Sequence, residues 1–271
     1  MRTIIVPISF GNNALNAAQY AADLATVVGA DLRLLYAIPP PSPITRHPMP
    51  NFVYEEMRDS GYTLLDDIRT QLRKRTANKV LITTDLETGD VPEQLQALCR
   101  RIHPFLVVMG AGESLPEEPG SSNTLRAMHK LPYPLLIVPP NAQFHGVRQM
   151  AIACDEEDIY SGVTSALPFL KDLNKMLGAK FDVVHVLISG RSAGNAMREY
   201  DGWKSQLEAF GRQLHIIKQN AVDEGVQYFV EKHPVDWLLV LPKKHSLLEF
   251  HKSKAKDIAL KSPIPVMSLH E

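Results

Sequence analysis

The sequence predicts an α/β protein built from two doubly wound sheets of five parallel strands each, arranged in tandem. Three observations predict it. Short apolar runs rich in Val, Ile and Leu alternate with longer stretches of helical periodicity, the grammar of strand–helix–strand units. The runs are apolar at consecutive positions, as strands covered on both faces require. The order of signals also occurs twice. Gly29-Ala30-Asp31-Leu32-Arg33-Leu34-Leu35-Tyr36 is matched by Gly178-Ala179-Lys180-Phe181-Asp182-Val183-Val184-His185, and His103-Pro104 by His233-Pro234. Lys130-Leu131-Pro132-Tyr133-Pro134-Leu135-Leu136 is matched by Lys261-Ser262-Pro263-Ile264-Pro265-Val266-Met267. The boundary falls near residues 140–147, giving domains at 1–140 and 147–271.

In the first domain a strand is expected at about 3–8, followed by a helix at about 13–28. Ala14, Ala17, Ala18, Ala21, Ala22 and Ala25 line that helix, so it can lie close to a sheet, and Gly29 ends it. The second strand spans about 32–38. The six prolines from Pro39 to Pro50 then exclude regular helix or central strand. A polar helix at about 52–76 and a strand at about 80–86 come next. Asp90-Val91-Pro92-Glu93 has the spacing of a capping box. Leu95, Leu98, Cys99 and Ile102 form the apolar stripe of the helix it opens. A buried strand, Leu106-Val107-Val108-Met109-Gly110, leads through Ala111-Gly112 and a loop to Gly120-Ser121-Ser122-Asn123-Thr124, which opens a helix at about 122–131. The last strand of this half lies at about 134–139. The second half repeats the plan, with strands at 149–154, 181–188, 214–219, 236–241 and 265–269 and helices at about 159–177, 194–213, 222–232 and 253–261.

The totals exclude several function classes. Lys plus Arg number 29 against 30 Asp plus Glu, so there is no basic excess for a nucleic-acid binder. No apolar run reaches the length of a membrane span, and the start of the chain reads as a strand, not as a signal peptide. Cys99 and Cys154 lie far apart on apolar stretches, which argues against a disulfide framework and for the cytoplasm.

The strand, glycine turn and helix start at 106–124 together form a potential anion site, because free N–H groups and the positive end of the helix dipole converge there. The plain alternative is a connection whose glycines only turn the chain. Glu113, Glu117 and Glu118 favour the alternative. A carboxylate about 7 Å from a phosphate charge costs roughly 0.6 kcal/mol in water and about 2.4 kcal/mol at an effective dielectric near 20. In the second half Lys243, Lys244, His245, His251, Lys252 and Lys254 read either as a solvated face or as a side-chain anion site. Asp155-Glu156-Glu157-Asp158 reads as a strand end and helix cap. Trp203 and Trp237 read as packing residues, and His129 as an exposed residue.

Ile4-Ile5-Val6-Pro7-Ile8, Thr88-Gly89-Asp90-Val91-Pro92, Val107-Val108-Met109-Gly110 and Pro134-Leu135-Leu136-Ile137-Val138-Pro139 resemble the universal stress protein family. With two similar halves, the chain is similar to its tandem members, in which the halves pair as an internal pseudo-dimer. The resemblance implies the adenine-nucleotide α-hydrolase-like, Rossmann-like sheet, with ATP over the carboxyl ends of the strands. It implies nucleotide contacts at Pro7 and Ser9, at Ile38, at Met109, Gly110 and Gly112, and at Gly120, Ser121, Ser122 and Asn123. In the second half it implies one at Asp155. The match to the family's G-x-x-G-x9-G-[ST] loop is partial: Gly112 comes one position early, and the stretch to Gly120-Ser121 is short. Ser9 stands where the family carries an aspartate, and the second half keeps the aspartate but has no glycine in Leu241-Pro242-Lys243-Lys244-His245-Ser246.

No Gly-x-Ser-x-Gly elbow, Walker lysine or metal-ligand spacing occurs. A non-enzymatic regulator is therefore expected, with weak ATP hydrolysis left open. Two readings remain: a stress-response protein binding ATP or AMP, with Mg²⁺, at partly degenerate sites; or a nucleotide-free interaction module with no cofactor. In the second, the Pro-x-Pro strands pair the domains edge to edge within the chain, and a homodimer is left open.

Overall fold

The structure is a computed structural model and describes residues 2–39, 51–111, 123–154, 162–188, 213–241 and 254–269. The chain divides into two compact units, Met1–Tyr133 and Pro134–Glu271.

The first unit runs β1 (Arg2–Ile8), α1 (Asn12–Val28), β2 (Ala30–Ile38), α2 (Asn51–Arg75), β3 (Ile82–Thr88), α3 (Val91–Ile102), β4 (Leu106–Gly110) and α4 (Asn123–Lys130). Its strands lie in the order β3-β2-β1-β4, all parallel. β1 therefore has β2 on one side and β4 on the other, and the chain reverses its direction of winding between them. Right-handed crossovers put α1 and α2 on one face and α3 and α4 on the other. Ile4, Ile5 and Val6 of β1 and Leu106, Val107 and Val108 of β4 are fully buried, as central strands covered on both faces should be. The alanine face of α1 is what permits close packing: Ala17, Ala18, Ala21, Ala22 and Ala25 are all buried.

The second unit holds β5 (Leu135–Val138), β6 (Gln149–Cys154), α5 (Gly162–Leu177), β7 (Lys180–Ile188), β8 (Leu214–Gln219), α6 (Val222–Lys232), β9 (Trp237–Val240), α7 (Lys254–Lys261) and β10 (Val266–Ser268). The order is β5-β10-β9-β6-β7-β8. The pairs from β10 to β8 are parallel, whereas β5 runs antiparallel to β10, with Val266 opposite Ile137 and Ser268 opposite Leu135. The two strands that follow the Pro-x-Pro motifs are thus hydrogen-bonded to each other. β5, expected to close the first repeat's sheet, lies in the compact unit that contains the second repeat.

The repeated signals occupy equivalent places. Gly29 and Gly178 both end helices in the left-handed region, with φ of 63° and 65°. His103 and His233 both follow helices and donate backbone N–H groups to Cys99 O and Phe229 O, but φ is 52° at His103 and −126° at His233. Trp237 packs fully buried, as expected, while Trp203 and the helix expected at 194–213 lie outside the described residues. Other expectations are displaced. β3 begins two residues later than the pattern suggests, with Leu81 exposed just ahead of it while its carbonyl accepts from Leu32 N at 2.9 Å. His129, expected to be exposed, is half-buried on α4, beside the buried Leu125 and Met128 of the same helix.

Candidate functional site

Among the predicted positions of the first half, strand register brings Pro7, Ser9, Ile38, Met109 and Gly110 to one end of the sheet. Ile8 pairs with Tyr36, and Ile4 and Ile5 with Leu106 and Val107. Continuing those registers puts Ser9, Ile38 and Gly110 within a residue or two of a common level at the carboxyl ends. The winding reverses here between β1 and β4, and in open α/β sheets such a reversal point is where connections diverge and ligands bind.

Residues that sequence reasoning did not single out hold this rim together. Asn13, in the first turn of α1, donates from Nδ2 to Ala111 O at 3.1 Å, and Thr124 donates from Oγ1 to Gly110 O at 2.9 Å. The two carbonyls leaving β4 are therefore each fixed by a side chain, one from α1 and one from α4. Gly110 is needed for a steric reason: a Cβ there would lie 2.5 Å from Asn13 O. Asn13 stands in Gly11-Asn12-Asn13 and Thr124 in Ser122-Asn123-Thr124, both polar clusters at helix starts, but nothing local specifies their long-range partners.

Pro7, Ile38 and Met109 are all buried, so these three shape the floor of the rim with backbone and apolar surface. Ile38 O accepts a hydrogen bond from Gly89 N at 2.7 Å, which ties the end of β2 to the β3–α3 turn. Ser9 is exposed, and its Oγ accepts from Gly11 N at 3.4 Å. Asn123 is exposed at the start of α4. Gly112, Gly120, Ser121, Ser122 and Asp155 lie outside the described residues, as do the segment 40–50 and most of the basic run after Leu241.

Aromatic side chains stand beside the rim. The Phe10 ring meets Tyr36 edge-on at 5.6 Å, and the Tyr54 hydroxyl is hydrogen-bonded to Thr88 Oγ1. The capping box expected at Asp90 does not form. Asp90 has the extended backbone of an N-cap but makes no side-chain cap bond. Its carboxylate is gripped by Arg126 of α4 at 2.6 and 2.8 Å. A bidentate pair offers two charge-assisted hydrogen bonds where a cap offers one. Hydrogen bonding to Asp90 pushes the Arg126 guanidinium above its ordinary value, so this cation is committed to its carboxylate. Among the described residues no group of three His, Cys, Asp or Glu side chains is set to hold a metal. Nor is any helix long and apolar enough to cross a membrane.

A parallel sheet wound in both directions, with the end of its central strand at Gly110 held by Thr124 of the following helix, defines the Rossmann-like class. Within that class the chain belongs to the universal stress protein family, whose model matches residues 1–139. Among solved structures it is similar to a universal stress protein from Archaeoglobus fulgidus DSM 4304, with a TM-score of 0.76 at 14% identity, covering 99% of this chain and 96% of that one. It is also similar to a functionally unknown protein from Pseudomonas aeruginosa PAO1, with a TM-score of 0.65 at 15% identity, covering 100% and 92%. These two likenesses show the fold. No match was found among curated proteins.

Proposed function

We propose that this chain is a stress-response protein whose first repeat, residues 1–140, takes an adenine nucleotide, ATP or AMP, over the carboxyl ends of β1, β2 and β4. The observation that carries this reading is the Gly110 junction. There, Asn13 and Thr124 hold the carbonyls of Ala111 and Gly110, at the level where Ser9 and Ile38 end their strands. Those two bonds hold the end of β4 against the first turns of α1 and α4, and helix N-termini favour an anion. Ser9 can donate to a ribose or phosphate oxygen, but it lacks the charge of the aspartate that the family resemblance implies there. Arg126 is neutralised by Asp90, so phosphate affinity rests on backbone dipoles and Mg²⁺ carried by the nucleotide. The role is binding and signalling, exercised in the cytoplasm, with no catalytic step assigned. Isothermal titration of Mg²⁺–ATP into the whole chain tests the reading. Saturable heat that Gly110→Ala abolishes while the fold persists is the expected result, and no heat at millimolar nucleotide removes it.

The antiparallel ladder between β5 and β10 favours a second reading, an interaction module without nucleotide. In it the closing strands of the repeats 1–140 and 147–271 pair the domains within one chain, as separate copies would in a homodimer. Native mass spectrometry of freshly purified protein separates the two, since only the first predicts co-purifying nucleotide.

A further inference from the structure

The outer face of α2 carries a feature that the nucleotide reading does not use. The sheet-facing stripe of this helix is Gly61, Leu65, Ile68 and Leu72. On the opposite side Phe52, Glu56, Asp59, Thr63 and Asp67 recur at helical spacing, and together with Phe10 they border a concavity of about 810 Å³. Phe10 is 64% and Phe52 70% exposed. A single exposed phenylalanine is unexceptional, but two that border one concavity are not accounted for by folding. The charge there is of one sign. Glu55, Glu56, Asp59 and Asp67 line the concavity, and among the described residues no Lys, Arg or His does. Glu55 is paired with Arg58 at 2.9 Å, whereas Glu56, Asp59 and Asp67 have no cationic partner among the described residues.

We propose that this concavity docks a cationic, apolar-anchored peptide segment of a partner protein. Its Lys or Arg side chains meet Glu56, Asp59 and Asp67, and its apolar side chains cover Phe10 and Phe52. Charge complementarity selects this occupant. Three carboxylates with no cationic partner among the described residues repel a nucleotide, a nucleic acid or an anionic membrane, and they attract a basic segment and steer its approach. Phe10 and Phe52 supply the desolvated anchor that charge alone lacks, and an Arg side chain on either ring adds a cation–π contact. From Phe52 to Asp67 the helix extends about 22 Å, long enough for a partner helix of about 15 residues. Phe10 directly follows Ser9, so the concavity starts at the strand-tip rim, yet docking here does not rest on nucleotide binding.

The test is fluorescence anisotropy of a labelled amphipathic peptide of lysine and leucine, about 15 residues long, titrated with the whole chain. A glutamate–leucine peptide is the control. The expected dissociation constant is on the order of 10 µM at low salt, weakening as salt rises. The triple variant Glu56→Gln, Asp59→Asn, Asp67→Asn should weaken binding about tenfold or more and flatten its salt dependence. Phe10→Ala with Phe52→Ala should weaken it by a similar factor and leave the salt dependence in place. All five positions are exposed, so both variants keep the fold, which circular dichroism checks. The proposal is overturned by no binding at millimolar protein, by equal binding of the control peptide, or by wild-type affinity in both variants. Self-association of the chain that these substitutions abolish would also overturn it, by making a second copy the occupant. The triple variant leaves the strand tips intact, so its ATP titration should match the wild type whichever way the nucleotide question falls.

Discussion

At the scale of single residues, the strand-tip rim depends on the space a glycine leaves. Gly110→Ala would set a Cβ 2.5 Å from Asn13 O, and the close contact with backbone has no flexible side chain to absorb it. Overpacking of this kind costs about 1–3 kcal/mol. Urea denaturation should show that loss, and Asn13→Ala a smaller one of about 1 kcal/mol from the freed Ala111 carbonyl. Ser9→Asp restores the charge that the family resemblance implies after the first strand. It should tighten nucleotide binding severalfold in the same calorimetric titration if ATP sits where proposed. The contrast between the two histidines that precede proline is also local. His103 stands at φ 52°, so His103→Gly should relieve strain and stabilise the protein by about 1 kcal/mol. His233 is extended and stacks on Phe229 at 4.2 Å, so His233→Gly should destabilise it. Thermal melts of the pair check the opposite signs.

At the scale of elements, α3 shows how a helix is anchored to both the core and its neighbours. Its apolar stripe buries Leu95, Leu98 and Cys99, while Asp90 at its start is bound to Arg126 of α4. Burial pushes the Cys99 thiol up to about 12, from an ordinary value of 9.0. Because the folded value lies above the unfolded one, the unfolded chain loses this proton first. The Cys99 contribution is therefore fully present below about pH 9 and is lost as pH rises towards 12. The alkaline loss of stability should be shallower in Cys99→Ala than in the wild type, and native Cys99 should resist thiol reagents at pH 8 until the chain unfolds. The Asp90–Arg126 pair is about one-third exposed at each side chain, so solvent screening limits it to about 1 kcal/mol in a double-mutant cycle. Its main consequence is geometric, since it fixes the start of α3 against the helix that follows the candidate phosphate loop.

At the scale of the whole molecule, the position of β5 decides where the chain can be cut. Leu135–Val138 covers the open edge of β10, and an uncovered parallel sheet edge with buried, apolar strands is prone to pair with other chains. A fragment comprising residues 147–271, which lacks β5, should therefore self-associate or precipitate more readily than the whole chain. Size-exclusion chromatography with light scattering distinguishes them. Monomeric behaviour of the fragment would support the repeat boundary near 140–147 as the physical one as well.

The doubly wound α/β plan, its duplication and most element positions were determined by the sequence alone. They rest on periodicity and helix-ending glycines, which act within a few residues along the chain and recur near Gly29 and Gly178. The positions facing the strand tips could be read the same way, because parallel strands carry their last residues to one end whatever covers them. Contacts between distant segments could not be read. Asp90 looks locally like a capping residue, and only folding brings Arg126 within reach from 36 positions away. The same holds for Asn13 beside Ala111 and for β5 along β10. An edge strand pairs with whichever backbone is brought alongside it, and the tertiary structure alone sets that neighbour.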